Sequence, residues 1–106
     1  MDIEQVKPKL NSYLKKIGQH IRVKEAFLFG SLVTGEATSD SDVDVLILSD
    51  DFVHLDEDER SKLLYRTSVG IDLDLHVYGL TPEEFASASK LTALGALHQQ
   101  KTYRLQ

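Results

Sequence analysis

Between Glu36 and Glu59 the chain carries ten carboxylates and no lysine or arginine, yet an apolar run of Val43, Val45, Leu46, Ile47 and Leu48 lies inside that stretch. Acidity of this density without apolar content would read as a solvated tail. The apolar run reads instead as a buried strand. Carboxylates at the mouth of a buried strand repel one another unless something cationic sits among them. The fold must therefore bury the strand and leave its acidic end open, and the acids point to a metal site.

The rest of the chain is basic on balance, since all 12 Lys and Arg residues lie outside the acidic stretch. A length of 106 residues suits one small domain with one core, spanning 1–106. The net charge of −5 argues against direct nucleic-acid binding. No apolar run reaches the ~18–20 residues of a membrane helix, and no signal-peptide pattern opens the chain, so no membrane partner is expected. The absence of cysteine excludes disulfide scaffolds and Cys-based zinc sites. It fits a reducing compartment, and a cytoplasmic location is expected.

Periodicity orders the elements. Ile3, Val6, Leu10, Leu14, Ile17 and Ile21 predict a first amphipathic helix. Val23 to Phe29 reads as a strand, ended by Gly30-Ser31, and 31–37 as a short helix or turn. Asp42 to Leu48 is the second strand. Asp56, with Glu59 at the capping-box position, opens a helix to about Val69. Ile71 to Tyr78 alternates as a third strand. Thr81, Pro82 and Glu84 start a further helix, read as continuing, unbroken or with a break, to about Gln100. Thr102 to Leu105 reads as an edge strand. The class is α+β with α/β-type alternation: helices packed on a small mixed sheet.

Three pieces carry chemistry. In Phe29-Gly30-Ser31-Leu32-Val33-Thr34-Gly35 a strand breaks into a glycine-bounded turn. Gly30 lets a ligand approach the backbone, and Ser31 supplies a hydroxyl and an N–H suited to phosphate oxygens. In Ser41-Asp42-Val43-Asp44 the two aspartates share one face of a strand and can hold the same ion. Asp72 and Asp74 share parity on another strand, and either supplies a third carboxylate for a hard oxygen site for Mg²⁺ or Mn²⁺. Other patterns fail. Asp40, Asp42 and Asp44 have EF-hand spacing, but Val45 and Asp51 stand where Gly and Glu are needed. Gly30 to Gly35 has Walker spacing, but Glu36 replaces the lysine. The four histidines have no zinc-like spacing; His76 shares the Asp74 face and reads as a partly exposed strand residue, with a place near the acceptor as the alternative. The six basic residues from Lys7 to Lys24 read as a solvated helix face.

Taken together, Phe29-Gly30-Ser31-x3-Gly35, Asp40-Ser41-Asp42-Val43-Asp44, and Asp74 on a strand leading to Thr81-Pro82-Glu83-Glu84-Phe85 resemble a minimal nucleotidyltransferase of the polymerase-β-like nucleotidyltransferase superfamily. The resemblance covers roughly residues 23–105. One departure is Leu32, where many members have arginine after Gly-Ser.

The resemblance implies the nucleotidyltransferase fold and two divalent cations. Asp42 and Asp44 would hold both, and Asp74, preferred over Asp72, the catalytic one. Gly30, Ser31 and Ser41 would bind the nucleotide, Gly30 and Ser31 at its β- and γ-phosphates. The implied reaction is transfer of AMP from ATP to a hydroxyl, with pyrophosphate leaving. A chain this short has little room for a second domain that grips the acceptor. The family's minimal members resemble antitoxins paired with a helical HEPN-type protein, some attaching AMP to a tyrosine of that partner. The expected function is therefore an adenylyltransferase antitoxin. Its alternatives are a non-catalytic module that neutralises the partner by occlusion, or a catalytic subunit modifying a small molecule such as an aminoglycoside. A homo-oligomer stays open.

Overall fold

The computed structural model describes residues 2–38, 42–89, 92 and 94–106. Helix α1 (Ile3–Ile17) starts in a reciprocal capping box between Asp2 and Gln5 and buries Val6, Leu10, Tyr13, Leu14 and Ile17. It stops short of Ile21, because Gly18 closes it through hydrogen bonds to the Leu14 and Lys16 carbonyls. Ile21 still reaches the core from the turn that follows. Strand β1 (Glu25–Phe29) ends at Gly30, and the four-residue helix α2 (Ser31–Thr34) follows directly. Strand β2 is Val43–Leu48. A 3-10 segment, Asp50–His54, and helix α3 (Glu57–Ser68) come next, the latter with the expected Asp56–Glu59 capping box. Strand β3 (Leu75–Leu80), helix α4 (Pro82–Ser87), a 3-10 segment at Gly95–Gln99 and strand β4 (Tyr103–Arg104) complete the chain.

The sheet order is β3-β2-β1-β4, with β2 parallel to β3 and β1 antiparallel to both β2 and β4. This is the mixed sheet with flanking helices expected from the alternation. Parity divides its faces. Ala26, Leu28, Val43, Val45 and Ile47 turn one way, into the core built with α1 and Leu64 of α3. The Tyr13 hydroxyl, buried there, donates to the Leu64 carbonyl at 2.9 Å and ties α1 to α3. On the opposite face, Leu46 and Leu48 pack with Phe27, Phe29, Leu80, Phe85, Leu94 and Leu97. That apolar cover ends before the N-terminal end of β2, which is left to the aspartates. No helix among the described residues is long and apolar enough to cross a membrane.

Two further boundaries differ markedly from expectation. Strand β3 begins at Leu75 rather than Ile71, because its ladder partner begins at Val43, whose N–H donates to the Asp74 carbonyl. Upstream, Ile71 and Leu73 close local turns onto Ser68 and Ile71. Helix α4 ends at Ser87, and among the described residues the next helical segment is the 3-10 stretch Gly95–Gln99, so the helix does not run unbroken to Gln100. No residue of it is fully buried, and Ala88 leaves in an extended conformation. Its start is as expected, with Thr81 capping, Pro82 in the first turn and Glu84 closing the box.

Arg60 joins these elements. Its side chain is only 12% exposed. It donates to the Phe52, Leu55 and Gly79 carbonyls and pairs with Glu84 at 2.7 Å. The guanidinium hydrogen bond holds the Glu84 carboxyl below its usual 4.5. A depressed carboxyl contributes stability that is complete above the unfolded pKa and is lost as pH falls through the folded value. Glu84→Gln is therefore expected to lower the thermal midpoint near neutrality, with the gap to wild type closing below about pH 4.5. A pH series of melting curves checks this.

Candidate active site at the open end of the sheet

The register places the acidic residues together. Asp44 pairs with Phe29 of β1 on one side and with His76 of β3 on the other. Paired residues point to the same face, so Asp44 and His76 are neighbours, and Asp42 and Asp74 share that face one step nearer the strand ends. The His76 Nε2 lies 3.6 Å from Asp42 Oδ2 and 3.8 Å from Asp74 Oδ1. One ligand-type atom from each of Asp42, Asp74 and His76 lies within 4.8 Å of the others. The neighbouring Asp42 raises the Asp74 carboxyl above its usual value, first because a proton on one carboxyl can be shared in a hydrogen bond with the other, and then because two like charges repel.

Asp44 faces the other way along this row, toward the glycine turn. A Cβ placed on Gly30 would meet Asp44 Oδ2 at 2.5 Å. Partial burial pushes the Asp44 carboxyl up, and His76 opposes the rise. Gly30 adopts φ +81° and ψ −154°, a conformation open essentially to glycine alone. Ser31 follows as the first residue of α2. Gly30, Ser31 and Asp44 thus form one side of the site, and Asp42, Asp74 and His76 the other.

Asp72 takes no part in this grouping. It precedes β3, its side chain is 96% exposed, and Lys9 of α1 holds both its carboxylate and its carbonyl. Ser41 and Asp40 lie outside the described residues. His76 is the residue whose setting the strand pattern missed. Alternation put it on the face of Asp74, but only the parallel register with β2 sets it between two aspartates.

Gly30→Ala tests the close approach. Strain in that region costs about 1–3 kcal/mol, and the added methyl group must displace the Asp44 carboxylate. Gly35→Ala is the control, since Gly35 also has positive φ, +85°, but a Cβ there meets nothing within 4 Å. Both variants are expected to melt lower than wild type. Only Gly30→Ala is expected to weaken divalent-cation binding, measured by titration calorimetry.

A mixed sheet that leaves a row of carboxylates beside a Gly-Ser turn suits a protein that handles cation-bound phosphates. The chain belongs to the nucleotidyltransferase domain family, whose model matches residues 7–95. It is 38% identical over 47 residues to the protein adenylyltransferase MntA of Thermococcus cleftensis. That match covers 44% of this chain and 48% of the relative, so it spans about half of the relative's length.

Solved structures share the fold. A toxin–antitoxin crystal structure with AMP-PNP superposes with a TM-score of 0.63 at 25% identity, over 94% of this chain and 72% of that one. A Sulfolobus solfataricus protein classed among the nucleotidyltransferases gives 0.63 at 17% identity, over 76% of this chain and 70% of that one.

Proposed function

We propose that this chain is a metal-dependent adenylyltransferase of the cytoplasm that moves AMP from ATP to a hydroxyl of a protein partner and serves as the antitoxin of that partner. The observation that carries the reading is the Asp44 carboxylate set against Gly30 at the head of the Gly-Ser turn, with Asp42 and Asp74 in the same row. A carboxylate row holds cations and a glycine turn admits phosphate oxygens. Together they suit a nucleoside triphosphate better than any other ligand class. The likeness to a protein adenylyltransferase and to a toxin–antitoxin structure with AMP-PNP supports the choice of ATP and of a partner protein.

The donor set fits hard divalent cations, Mg²⁺ or Mn²⁺, because it is built mainly of carboxylate oxygens. Asp42 and Asp44 would hold two such ions, with Asp74 joining at one of them. When bound, they neutralise charge on the triphosphate and lower the pKa of the acceptor hydroxyl. Gly30, Ser31 and Ser41 bind the phosphates. The acceptor oxygen attacks the α-phosphorus, the bond from that phosphorus to the bridging oxygen breaks, and pyrophosphate leaves. Asp74, exposed at the sheet edge, accepts the hydroxyl proton. The acceptor we favour is a tyrosine of a helical HEPN-type protein.

The test is incubation with ATP, a divalent cation and the purified product of the adjacent gene. The expected result is a mass increase of one AMP on that partner. No adduct on the partner under any divalent cation would contradict the reading.

A further inference from the structure

We infer that His76 is itself a metal ligand, and that the cation seated between Asp42 and Asp74 is one that accepts an imidazole nitrogen, such as Mn²⁺ or Co²⁺, in preference to Mg²⁺. This rests on the cation-dependent reading above and narrows it to a ligand set.

The geometry has three parts. First, ligand atoms about 2.0–2.2 Å from one ion lie roughly 3 Å apart when adjacent and a little over 4 Å apart when opposite. The separations of 3.6 Å and 3.8 Å from Nε2 to the two carboxylates fall inside that window. Second, those separations are ion-pair contacts and too long for hydrogen bonds, so the ring nitrogen faces both carboxylates at once without being locked onto either. Third, the donor atoms of Asp42, Asp74 and His76 come together, while Asp44 Oδ2 lies on the Gly30 side of the row, where it is placed to share the other ion with Asp42.

Two oxygens and one nitrogen make a borderline set. Mg²⁺ demands near-ideal octahedral oxygen coordination and keeps several waters. Mn²⁺ and the later divalent ions accept imidazole, with affinity rising along the Irving–Williams order. His76 therefore sets which cation loads the site.

The experiment uses the full chain without nucleotide. Mn²⁺ is titrated while the ring signals of all four histidines are followed by NMR, and Mn²⁺, Co²⁺ and Mg²⁺ affinities are measured by calorimetry. The His76 ring signal is expected to broaden before those of His20, His54 and His98. Wild type is expected to bind Mn²⁺ and Co²⁺ more tightly than Mg²⁺. His76→Asn should lose about tenfold or more for Mn²⁺ and Co²⁺, on the scale of removing a group that supports a metal site, and less than twofold for Mg²⁺. His76→Asp, which restores an oxygen donor, should raise Mg²⁺ affinity relative to His76→Asn.

Unchanged Mn²⁺ affinity in His76→Asn, or broadening of His76 no earlier than the other rings, would overturn the inference while leaving the carboxylate site standing. Failure of wild type to bind any divalent ion would overturn both.

Discussion

Asp42→Asn is expected to lower AMP transfer by about a thousandfold while leaving the fold intact. Loss of a charge that positions cations on a triphosphate removes several kcal/mol of transition-state stabilisation. At about 1.4 kcal/mol per decade, roughly 4 kcal/mol is three orders of magnitude. The fold should not suffer, because Asp42 is an exposed residue at the mouth of β2 whose charge raises the Asp74 carboxyl. That repulsion is a cost in the cation-free protein, and asparagine removes it. The variant should therefore melt at or above the wild-type temperature without divalent ions, and gain less than wild type when they are added. Transfer rates and paired melting curves measure both halves. An activity loss with an equally large fall in melting temperature would mean that Asp42 is structural.

Arg60→Met is the largest expected loss of stability. Methionine keeps much of the apolar stem but removes every donor and the guanidinium that lies over the Phe52 ring. The Phe52, Leu55 and Gly79 carbonyls lose their guanidinium, and Glu84 loses its counter-charge. Breaking a mostly buried charged network costs about 3–5 kcal/mol, and the partial exposure of Glu84 argues for the lower end. For a domain of this size, about 3 kcal/mol corresponds to roughly 12–20 °C in melting temperature. Arg60→Lys should recover only part, since an ammonium cannot reproduce the planar fork. A fall of only a degree or two in Arg60→Met would show that the network is solvent-compensated.

These two residues illustrate what the amino-acid order makes legible. Asp42 and Asp44 stand out because i and i+2 on a strand share a face whatever the strand pairs with. The capping boxes at Asp56 and Thr81 are equally local. The Gly-Ser turn is visible in the residues, but its contact with Asp44 depends on the antiparallel register of β1 on β2. Arg60 and His76 depend wholly on such long-range pairing. Arg60 is the first basic residue after the acidic stretch, and that position was the available signal. His76 needed the parallel alignment of β3 with β2, as did the true start of β3. Alternation from Ile71 onward was compatible with a longer strand, but β2 offers no partner before Val43. Asp72 shows the same limit from the other side: its parity matches Asp74, yet Lys9 holds it against α1.

The central claim is that this site transfers the nucleotidyl group. The most direct measurement compares ATP labelled at the α-phosphorus with ATP labelled at the γ-phosphorus, each incubated with the chain, Mn²⁺ and the adjacent gene's product. Label from the α-position should appear on the partner and label from the γ-position should leave as pyrophosphate, with both lost in Asp42→Asn. Transfer of the γ-label to the partner, or no transfer of either label, would contradict the account.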